Sequence, residues 1–180
     1  MRVLLGVSGG IACYRAVEVV SRLTKGAHEV RVVMTPSATR FVGPPTFETM
    51  SRNPVMLDVF GAEGGALSPV AHIDWAKWAE VAVLAPLTAS TLGKLANGIA
   101  DNALTTLWLA LPASVPQVHC PAMNTRMWAH PAVVQNTRWC EEHLGARVVG
   151  PIEKRLADGD IGLGGLAEVE DIVAAVEACR

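Results

Sequence analysis

Short apolar runs alternate with segments of helical spacing along the whole chain. The apolar runs predict six strands, at residues 2–7, 29–34, 55–60, 81–85, 115–120 and 146–149. These runs lack the apolar–polar alternation of a strand with one solvent-exposed face, so they predict a parallel sheet buried on both sides. Helices between the strands would supply the two covering layers, and the predicted fold class is therefore α/β.

Four segments have apolar residues at helical spacing, within 12–23, 92–103, 131–145 and 169–176. The third begins with proline and ends with glycine, the usual residues of a first helical turn and of a helix end. Two stretches break the alternation. The glycine-rich residues 61–69 predict a mobile loop, and the turn-rich residues 153–167 predict a substrate flap. No linker divides the chain, which predicts a single domain over residues 1–180.

Composition narrows the function classes. The chain is 51% hydrophobic and only 18% charged, which indicates a deeply buried sheet or apolar surface covered by subunit contacts. The net charge of −2 gives no excess of positive charge that would indicate binding to nucleic acid or to an anionic membrane. No apolar run is long enough to cross a bilayer, and the chain starts as a strand rather than as a signal peptide. Four scattered cysteines without metal-type spacing predict free thiols in the cytoplasm.

Small and hydroxylated residues follow two of the predicted strands. Ser8-Gly9-Gly10-Ile11 comes after the first strand, where glycines let backbone amides approach an anion, and Thr35 and Ser37 come after the second. This is not the three-glycine dinucleotide motif. The pattern favours a phosphate site, such as that of a mononucleotide, over the alternative of a tight strand-to-helix turn.

Residues 86–91 and 121–128 follow the fourth and fifth strands. The first segment carries Thr88, Ser90 and Thr91, of which Ser90 or Thr91 is expected to cap the next helix while the others face a polar ligand. The second segment holds Met123 and Asn124 between two prolines, with a helix expected only from residue 131 onwards. It predicts an amide held over a pocket at the sheet edge, where open α/β sheets bind ligands. The alternative is a stiff connection with Met and Trp as core filler.

His72 lies at a predicted loop-to-helix junction, directly after the glycine-rich residues 61–69. An imidazole in that position can act as a general base near neutral pH. A single histidine is more often structural, and both interpretations stay open at this point. No pair of carboxylates has acid–base spacing, and no metal-binding cluster is evident.

Several segments together resemble one family, the homo-oligomeric flavin-containing cysteine decarboxylases, over residues 8 to about 164. The matching segments are Ser-Gly-Gly-Ile-Ala at 8–12, residues 41–47, His-Ile-Asp at 72–74, residues 86–91 with Lys-Leu-Ala-Asn-Gly-Ile-Ala-Asp at 94–101, and residues 121–128. Residues 86–91 resemble the family's Pro-Ala-Ser-Ala-Asn-Thr element. Residues 121–128 fit its Pro-x-Met-Asn-x-x-Met-Trp element at every fixed position.

The resemblance implies a Rossmann-like three-layer fold and a flavin, FMN with FAD as the alternative, bound between subunits of a homotrimer that can assemble into a dodecamer. It implies His72 as the base, and Asn124 as the ligand of the substrate carboxylate, assisted by Met123. The implied flavin contacts are Ser8, Gly9, Gly10, Ile11, Thr35, Ser37, Pro86, Thr88, Ser90, Thr91, Ala122 and Met123. No metal is implied. The substrate would be a Cys-terminated peptide or a small cysteine conjugate.

The implied chemistry explains these residue types. A cysteine carboxylate loses CO₂ reluctantly because the carbanion has no place for its charge. Oxidation of the Cβ–S unit to a thioaldehyde by the flavin creates an electron sink, and decarboxylation then gives an enethiolate. The protein has to supply orientation, a proton acceptor and carboxylate recognition.

Departures from the family's pattern at three positions matter for the chemistry. Asp158 replaces a flap cysteine that the resemblance implies as the proton donor of the coenzyme A branch, Gly165 replaces an arginine, and Ser90 replaces an asparagine. Loss of the cysteine predicts that the reaction stops at the oxidised enethiol.

The leading hypothesis is therefore oxidative decarboxylation of the C-terminal cysteine of a precursor peptide, giving an aminovinyl-cysteine precursor, with Asp158 near the substrate. The first alternative is a phosphopantothenoylcysteine decarboxylase of coenzyme A biosynthesis, with Asp158 as a substitute acid. The second is a non-catalytic flavin-binding regulatory subunit, against which the presence of both His72 and Asn124 argues. A flavin prenyltransferase shares the architecture, but its basic phosphate-binding signature is not evident.

Overall fold

A computed structural model describes residues 1–60, 70–155 and 159–180. Its strands are β1 (Arg2–Val7), β2 (Glu29–Met34), β3 (Val55–Met56), β4 (Val81–Leu87), β5 (Gln117–Pro121), β6 (Arg147–Val148), β7 (Ile152–Arg155) and β8 (Ile161–Gly165). Its helices are α1 (Cys13–Lys25), α2 (Pro44–Ser51), α3 (Ala71–Trp78), α4 (Ala89–Ala96), α5 (Ala103–Leu109), α6 (Thr125–Trp128), α7 (Pro131–Leu144) and α8 (Val169–Glu177), with one 3₁₀ turn at Ala38–Arg40.

The first six strands form one parallel sheet in the order β3-β2-β1-β4-β5-β6. This confirms the predicted α/β, Rossmann-like class with about six parallel strands. The strand order reverses between β1 and β4, because the chain builds outward from β1 on one side and then from β4 on the other. The connections that follow these two strands lead in opposite directions and leave a crevice at their carboxyl ends, which is where such sheets bind ligands.

Helices cover both faces of the sheet. On one face, Val3, Leu5 and Val7 of β1 are buried with residues of α1 and α8. On the other, Leu4 is buried with residues of α3, α4, α5 and α7. Neighbouring residues of a strand point to opposite faces, so a strand with two covered faces is apolar at every position.

Two expected elements end earlier than the sequence predicts. The strand at 55–60 is only Val55–Met56, because Asp58 Oδ1 accepts a hydrogen bond from the Phe60 amide (2.9 Å) and turns the chain away from the sheet. The expected helix at 92–103 is two helices. Gly98 has a φ of 66°, and the side chain of Asn102 caps α5 by accepting from the Thr105 amide (3.1 Å). A capping box starts a new helix there.

The remaining differences lie at element ends. The fifth strand is Gln117–Pro121 rather than 115–120, and the sixth is Arg147–Val148 rather than 146–149. Residues 121–128, expected to stay non-helical, contain the single helical turn α6. The expected helices at 131–145 and 169–176 are confirmed, and Gly145 ends α7 in the left-handed conformation with a φ of 62°.

The predicted flap is an antiparallel hairpin of β7 and β8, separate from the main sheet. Its residues 156–158, and with them Asp158, lie outside the described residues. The predicted loop at 61–69 also lies outside them.

One histidine is enclosed in the middle of the sheet. His119 of β5 is 1% exposed, and its Nε2 lies 3.2 Å from Gln117 Oε1. The same oxygen accepts a hydrogen bond from Trp108 Nε1 (3.1 Å). Burial lowers the pKa of His119 to about 4, because charging the ring would place an unpaired cation in the core. The ring is therefore neutral at pH 7.

Candidate ligand-binding site

A cavity of about 970 Å³ opens at the carboxyl ends of β1, β2, β4 and β5. This is near the upper end of the usual range for ligand pockets, roughly 300–1,000 Å³. Its wall includes eleven of the predicted site residues: Gly9, Gly10, Ile11, Thr35, Ser37, Thr88, Ser90, Thr91, Ala122, Met123 and Asn124. Ser8, Pro86 and His72 are not part of the wall.

The loop between β1 and α1 is shaped for an anion. No side chain caps the first turn of α1, and within that turn the amides of Cys13 and Arg15 donate to the carbonyls of Gly10 and Ala12 (3.0 Å each). A Cβ built on Gly9 would collide with the Ser37 side chain, so glycine is needed for this close approach. Backbone amides at a helix start suit a phosphate group, and the side-chain oxygens of Thr35 and Ser37 lie 3.1 Å apart beside them.

Ser8 holds this loop in place from beneath. Its side chain is fully buried, donates a hydrogen bond to the Pro86 carbonyl (2.7 Å) and accepts one from the Thr88 amide (2.8 Å). Both partners belong to the segment that follows β4. Ser8 therefore joins the ends of β1 and β4 across the crevice, and its hydroxyl is engaged within the protein rather than facing the cavity.

Hydroxyl groups form the wall contributed by α4. This helix begins at Ala89, so Thr88 occupies the position before it, and Ser90 and Thr91 lie inside its first turn. The expectation that Ser90 or Thr91 caps the helix is therefore wrong. Thr88 makes no capping hydrogen bond from its side chain, and all three residues line the cavity. Their hydroxyls are placed for a polar ligand instead.

The segment after β5 is fixed at three points. The Ala122 amide donates to Leu87 O (3.1 Å), and the Met123 amide donates to Gly164 O of the flap (3.0 Å). Asn124 Oδ1 accepts from the Arg126 amide (2.8 Å) and caps α6. This bond sets the orientation of the Asn124 amide group, so that its Nδ2 is the atom whose chemistry suits a carboxylate.

Glycines of the flap allow it to lie directly on this segment. A Cβ on Gly162 would collide with Thr125 Oγ1, and one on Gly164 would collide with the Met123 carbonyl oxygen. The glycines of the flap therefore do more than allow turns. It removes the side chains that would keep β8 away from the residues around Asn124.

The cavity wall contains charged residues that the sequence patterns did not single out: Arg15, Lys94, Asp101, Lys154 and Arg155. Arg15 Nη2 lies 2.6 Å from Glu168 Oε2, and Lys154 Nζ lies 3.5 Å from Glu168 Oε1. The Arg15 guanidinium holds the pKa of the Glu168 carboxyl below its ordinary value, so the carboxylate is ionised at pH 7. Two sequence signals could have pointed to this charge. One is Arg15 near the start of α1, and the other is the adjacent pair Lys154 and Arg155 at the start of the flap.

His72 lies apart from the cavity, in the first turn of α3. Its Nδ1 is buried and has no hydrogen-bond partner among the residues that the structure describes. The chain therefore brings Asn124, Met123 and the hydroxyl wall together but leaves its predicted base elsewhere.

The described residues contain no helix with the length and apolar character of a membrane span, and no group of three His, Cys, Asp or Glu residues placed to hold a metal ion. All four cysteines are free, as predicted: Cys13, Cys120 and Cys140 are buried, and Cys179 is partly exposed. Burial raises the pKa of the Cys120 thiol, so it stays protonated.

The sheet order, the crevice at the β1–β4 reversal and the anion-shaped loop define an α/β protein that binds a phosphorylated cofactor at its sheet edge. The chain belongs to the Flavoprotein family, whose profile matches residues 1–180. Family membership confirms the resemblance that the sequence motifs indicate.

Two curated relatives cover nearly all of the chain. It is 46% identical over 175 residues to the Coenzyme A biosynthesis bifunctional protein CoaBC of Bacillus subtilis, covering 97% of this chain and 42% of that protein. It is 39% identical over 176 residues to a probable phosphopantothenoylcysteine decarboxylase of Streptococcus mutans, covering 98% of this chain and 97% of that protein. The chain thus spans only about two-fifths of the bifunctional relatives, 39% to 42% of their length.

Two solved structures share the fold. One is a cysteine-to-serine mutant of a PPC decarboxylase complexed with pantothenoylaminoethenethiol, with a TM-score of 0.89 and 36% identity over 98% of this chain and 96% of that one. The other is the FMN-dependent cysteine decarboxylase SpaF, with a TM-score of 0.81 and 32% identity over 99% of this chain and 97% of that one. The names of the Streptococcus mutans relative and of both solved structures describe decarboxylases.

Proposed function

We propose that the chain is an FMN-dependent decarboxylase of a cysteine conjugate and that its substrate is phosphopantothenoylcysteine. The observation that carries this proposal is the cavity in which a phosphate-shaped loop, a hydroxyl wall and the Asn124 amide meet. The names of the Bacillus subtilis and Streptococcus mutans relatives support this substrate over the peptide that the sequence analysis favoured.

The cavity fits a flavin mononucleotide. The cradle around Gly9, which a Cβ would fill, and the uncapped start of α1 would hold the phosphate. Thr88, Ser90 and Thr91 would border the ring system. When bound, the flavin supplies the oxidising chemistry that makes loss of CO₂ feasible.

Asn124 would orient the reacting carboxylate. Its Nδ2 donates to the carboxylate oxygens, while its Oδ1 is held by the Arg126 amide (2.8 Å). Met123 positions the neighbouring Asn124 relative to the cavity, because the Met123 amide donates a hydrogen bond to Gly164 O (3.0 Å). A carboxylate held in one orientation keeps the bond that breaks in line with the electron sink.

His72 would serve the cavity of a neighbouring copy. The position of His72 outside the cavity wall of its own chain supports this, and so does the flavin site between subunits that the family resemblance implies. The test is complementation. His72→Asn and Asn124→Asp variants are each expected to be inactive and to keep their flavin. Oligomers that contain both variants should regain activity, because some cavities then combine an intact His72 with an intact Asn124. Continued inactivity of verified mixed oligomers would refute this arrangement.

Oxidative decarboxylation of a Cys-terminated peptide is the second candidate, and Asp158 at the position of the family's flap cysteine favours it. An ordinary aspartate is ionised at pH 7 and has no proton to donate, whereas an ordinary cysteine thiol keeps its proton, so the reaction is expected to stop at the enethiol. The substrates are distinguishable by their size and the products by their mass.

The deciding assay incubates the yellow, FMN-loaded protein with phosphopantothenoylcysteine and, separately, with a Cys-terminated peptide. Loss of CO₂ alone from the first substrate marks the coenzyme A reaction. Loss of about 46 Da, CO₂ plus two hydrogens, marks an oxidative product. Turnover of the peptide alone would refute the proposed substrate, and turnover of neither would indicate a flavin-binding regulatory subunit.

An Asn124→Asp variant should lose turnover by at least a hundredfold while keeping its flavin, because a second carboxylate repels that of the substrate. The matched control is Asn97→Asp, an exposed asparagine at the end of α4 that lies outside the cavity wall. Equal losses in the two variants would refute the role of Asn124.

A further inference from the structure

Glu168, the residue before α8, contacts charged side chains of α1 and of the flap. Glu168 accepts from Arg15 of α1 (2.6 Å) and pairs with Lys154 of β7 (3.5 Å). Arg155, the next residue of β7, lines the same cavity and makes no ion pair within residues 1–60, 70–155 and 159–180. We call Arg15, Lys154 and Arg155 the flap cation cluster.

The flap cation cluster keeps a surplus of charge. Among the described residues, Arg15 and Lys154 share the carboxylate of Glu168 and Arg155 has no ion pair, so these four residues carry two more positive than negative charges. A phosphate monoester carries about −1.5 to −2 charges at pH 7. Lys94, also in the wall, differs in this respect, because its Nζ contacts both carboxylate oxygens of Asp101 (2.7 and 2.9 Å) and is neutralised. Among the described residues of the cavity wall, the unpaired positive charge therefore belongs to the flap cation cluster.

Gly165 makes the position of Lys154 possible. A Cβ built on Gly165 would lie 2.9 Å from Lys154 Cβ and 3.3 Å from its Cδ. The aliphatic part of Lys154 thus crosses the space that a side chain at residue 165 would occupy, and its ammonium group reaches Glu168. Residue 165 is one of the positions at which the chain departs from the family's flap pattern, so the placement of Lys154 belongs to this chain.

We propose that the flap cation cluster binds the phosphate monoester of the substrate, with Glu168 holding two of the cations in place. This inference rests on the proposed function. The flavin has a phosphate of the same chemistry, but the neutral donors of the Gly9 loop and Ser37 already provide a place for it at the start of α1. The flap cation cluster lies partly on the flap and is separate from the Gly9 loop.

The experiment compares phosphopantothenate with pantothenate, which lack the reacting cysteine and differ only by the phosphate. Their dissociation constants for the FMN-loaded protein are measured by calorimetry or by the change in flavin absorbance. We expect the phosphorylated form to bind at least tenfold more tightly, and most of this preference to be lost in Lys154→Ala and Arg155→Ala, because each removes a charge-assisted contact. The matched control is Lys25→Ala, at the exposed end of α1.

Equal binding of the two compounds by the unaltered protein would overturn the inference. A second contradicting result would be a Lys154→Ala protein that binds FMN more weakly but binds riboflavin as before. The flap cation cluster would then bind the phosphate of the cofactor and not that of the substrate. Both results are read from binding, so they are independent of turnover. Failure of the proposed function would show separately, as absence of product from phosphopantothenoylcysteine.

A transposed variant tests whether position matters. Lys154→Ala combined with Gly165→Arg moves the cation to the facing strand and removes the stem that would collide with it. Recovery of the phosphate preference supports the assignment. A flavin-loaded double variant without any such recovery would overturn the claim that a cation at this crossing recognises the phosphate.

Discussion

Replacing Ser8 by alanine distinguishes a structural role of this hydroxyl from contact with the flavin. The family resemblance places Ser8 among the cofactor ligands. In the structure the side chain is 0% exposed and its oxygen joins the Pro86 carbonyl (2.7 Å) to the Thr88 amide (2.8 Å). Ser8→Ala breaks both bonds and puts no new group in their place. The variant should therefore be less stable even before any cofactor binds.

The expected loss can be worked out bond by bond. The Pro86 carbonyl keeps the Ser8 amide as a donor (3.2 Å), so it loses only one of two bonds, worth roughly 0.5–1.5 kcal/mol. The Thr88 amide loses its acceptor while partly buried, which costs about 1 kcal/mol or more. Together these give about 2 kcal/mol, which corresponds to a fall in Tm of roughly 4–8 °C for a domain of this size.

The assay is thermal unfolding of flavin-free protein, with Ser37→Ala as the matched control. Ser37 lies in the cavity wall, and its hydroxyl contacts only Thr35 Oγ1 (3.1 Å) among described residues. Ser37→Ala should keep its Tm within about 2 °C and weaken binding of FMN more than that of riboflavin. An unchanged Tm in Ser8→Ala together with a selective loss of FMN affinity would refute the structural role and restore the direct contact.

Three further predictions concern the core and the flap. His119 should make the free energy of unfolding depend on pH, because burial lowers the pKa of the folded ring to about 4 while the unfolded ring has a pKa of about 6.5. Its contribution is complete above pH 6.5, and the free energy of unfolding falls by about 3 kcal/mol as the pH drops to 4. Urea unfolding measures this loss, which should be absent in His119→Asn. Arg31→Ala should cost about 1 kcal/mol in chemical denaturation, because the guanidinium lies 4.2 Å from the Trp78 ring centroid; an unchanged midpoint would refute this contact. Gly164→Ala should lower turnover at least tenfold with FMN still bound, because its Cβ pushes the flap off the Met123 carbonyl, and full activity would show that flap docking is unnecessary.

Local patterns predicted the sheet but not the ends of its elements. The two strands at 2–7 and 29–34 are correct to the residue, because burial on both faces makes most of their positions apolar. The third strand and the helix at 92–103 were overextended, because Asp58 and Asn102 redirect the chain through side-chain hydrogen bonds. Such bonds depend on a single oxygen and leave no mark on hydrophobic periodicity.

The candidate site was predictable where it follows directly from a strand end. Gly9, Thr88 and Asn124 each come within a few residues of a parallel strand, and such ends meet at one sheet edge. Arg15, Lys154 and Glu168 were missed because they come from a helix and a hairpin far apart in the chain. Their meeting needs the flap to fold back over the sheet, and no spacing in the sequence encodes that.

By itself the sequence determined the parallel α/β fold, the family and the residues at the edge of the sheet, because these depend on periodicity and on short motifs that act locally. Only the tertiary structure decided that Ser8 faces inward, that His72 lies away from the cavity, and that a carboxylate gathers two cations beside the flap. These outcomes depend on the direction in which side chains point after distant segments pack. The complete set of tertiary contacts determines where a side chain points, and a single segment of the sequence contains only some of the residues that make those contacts.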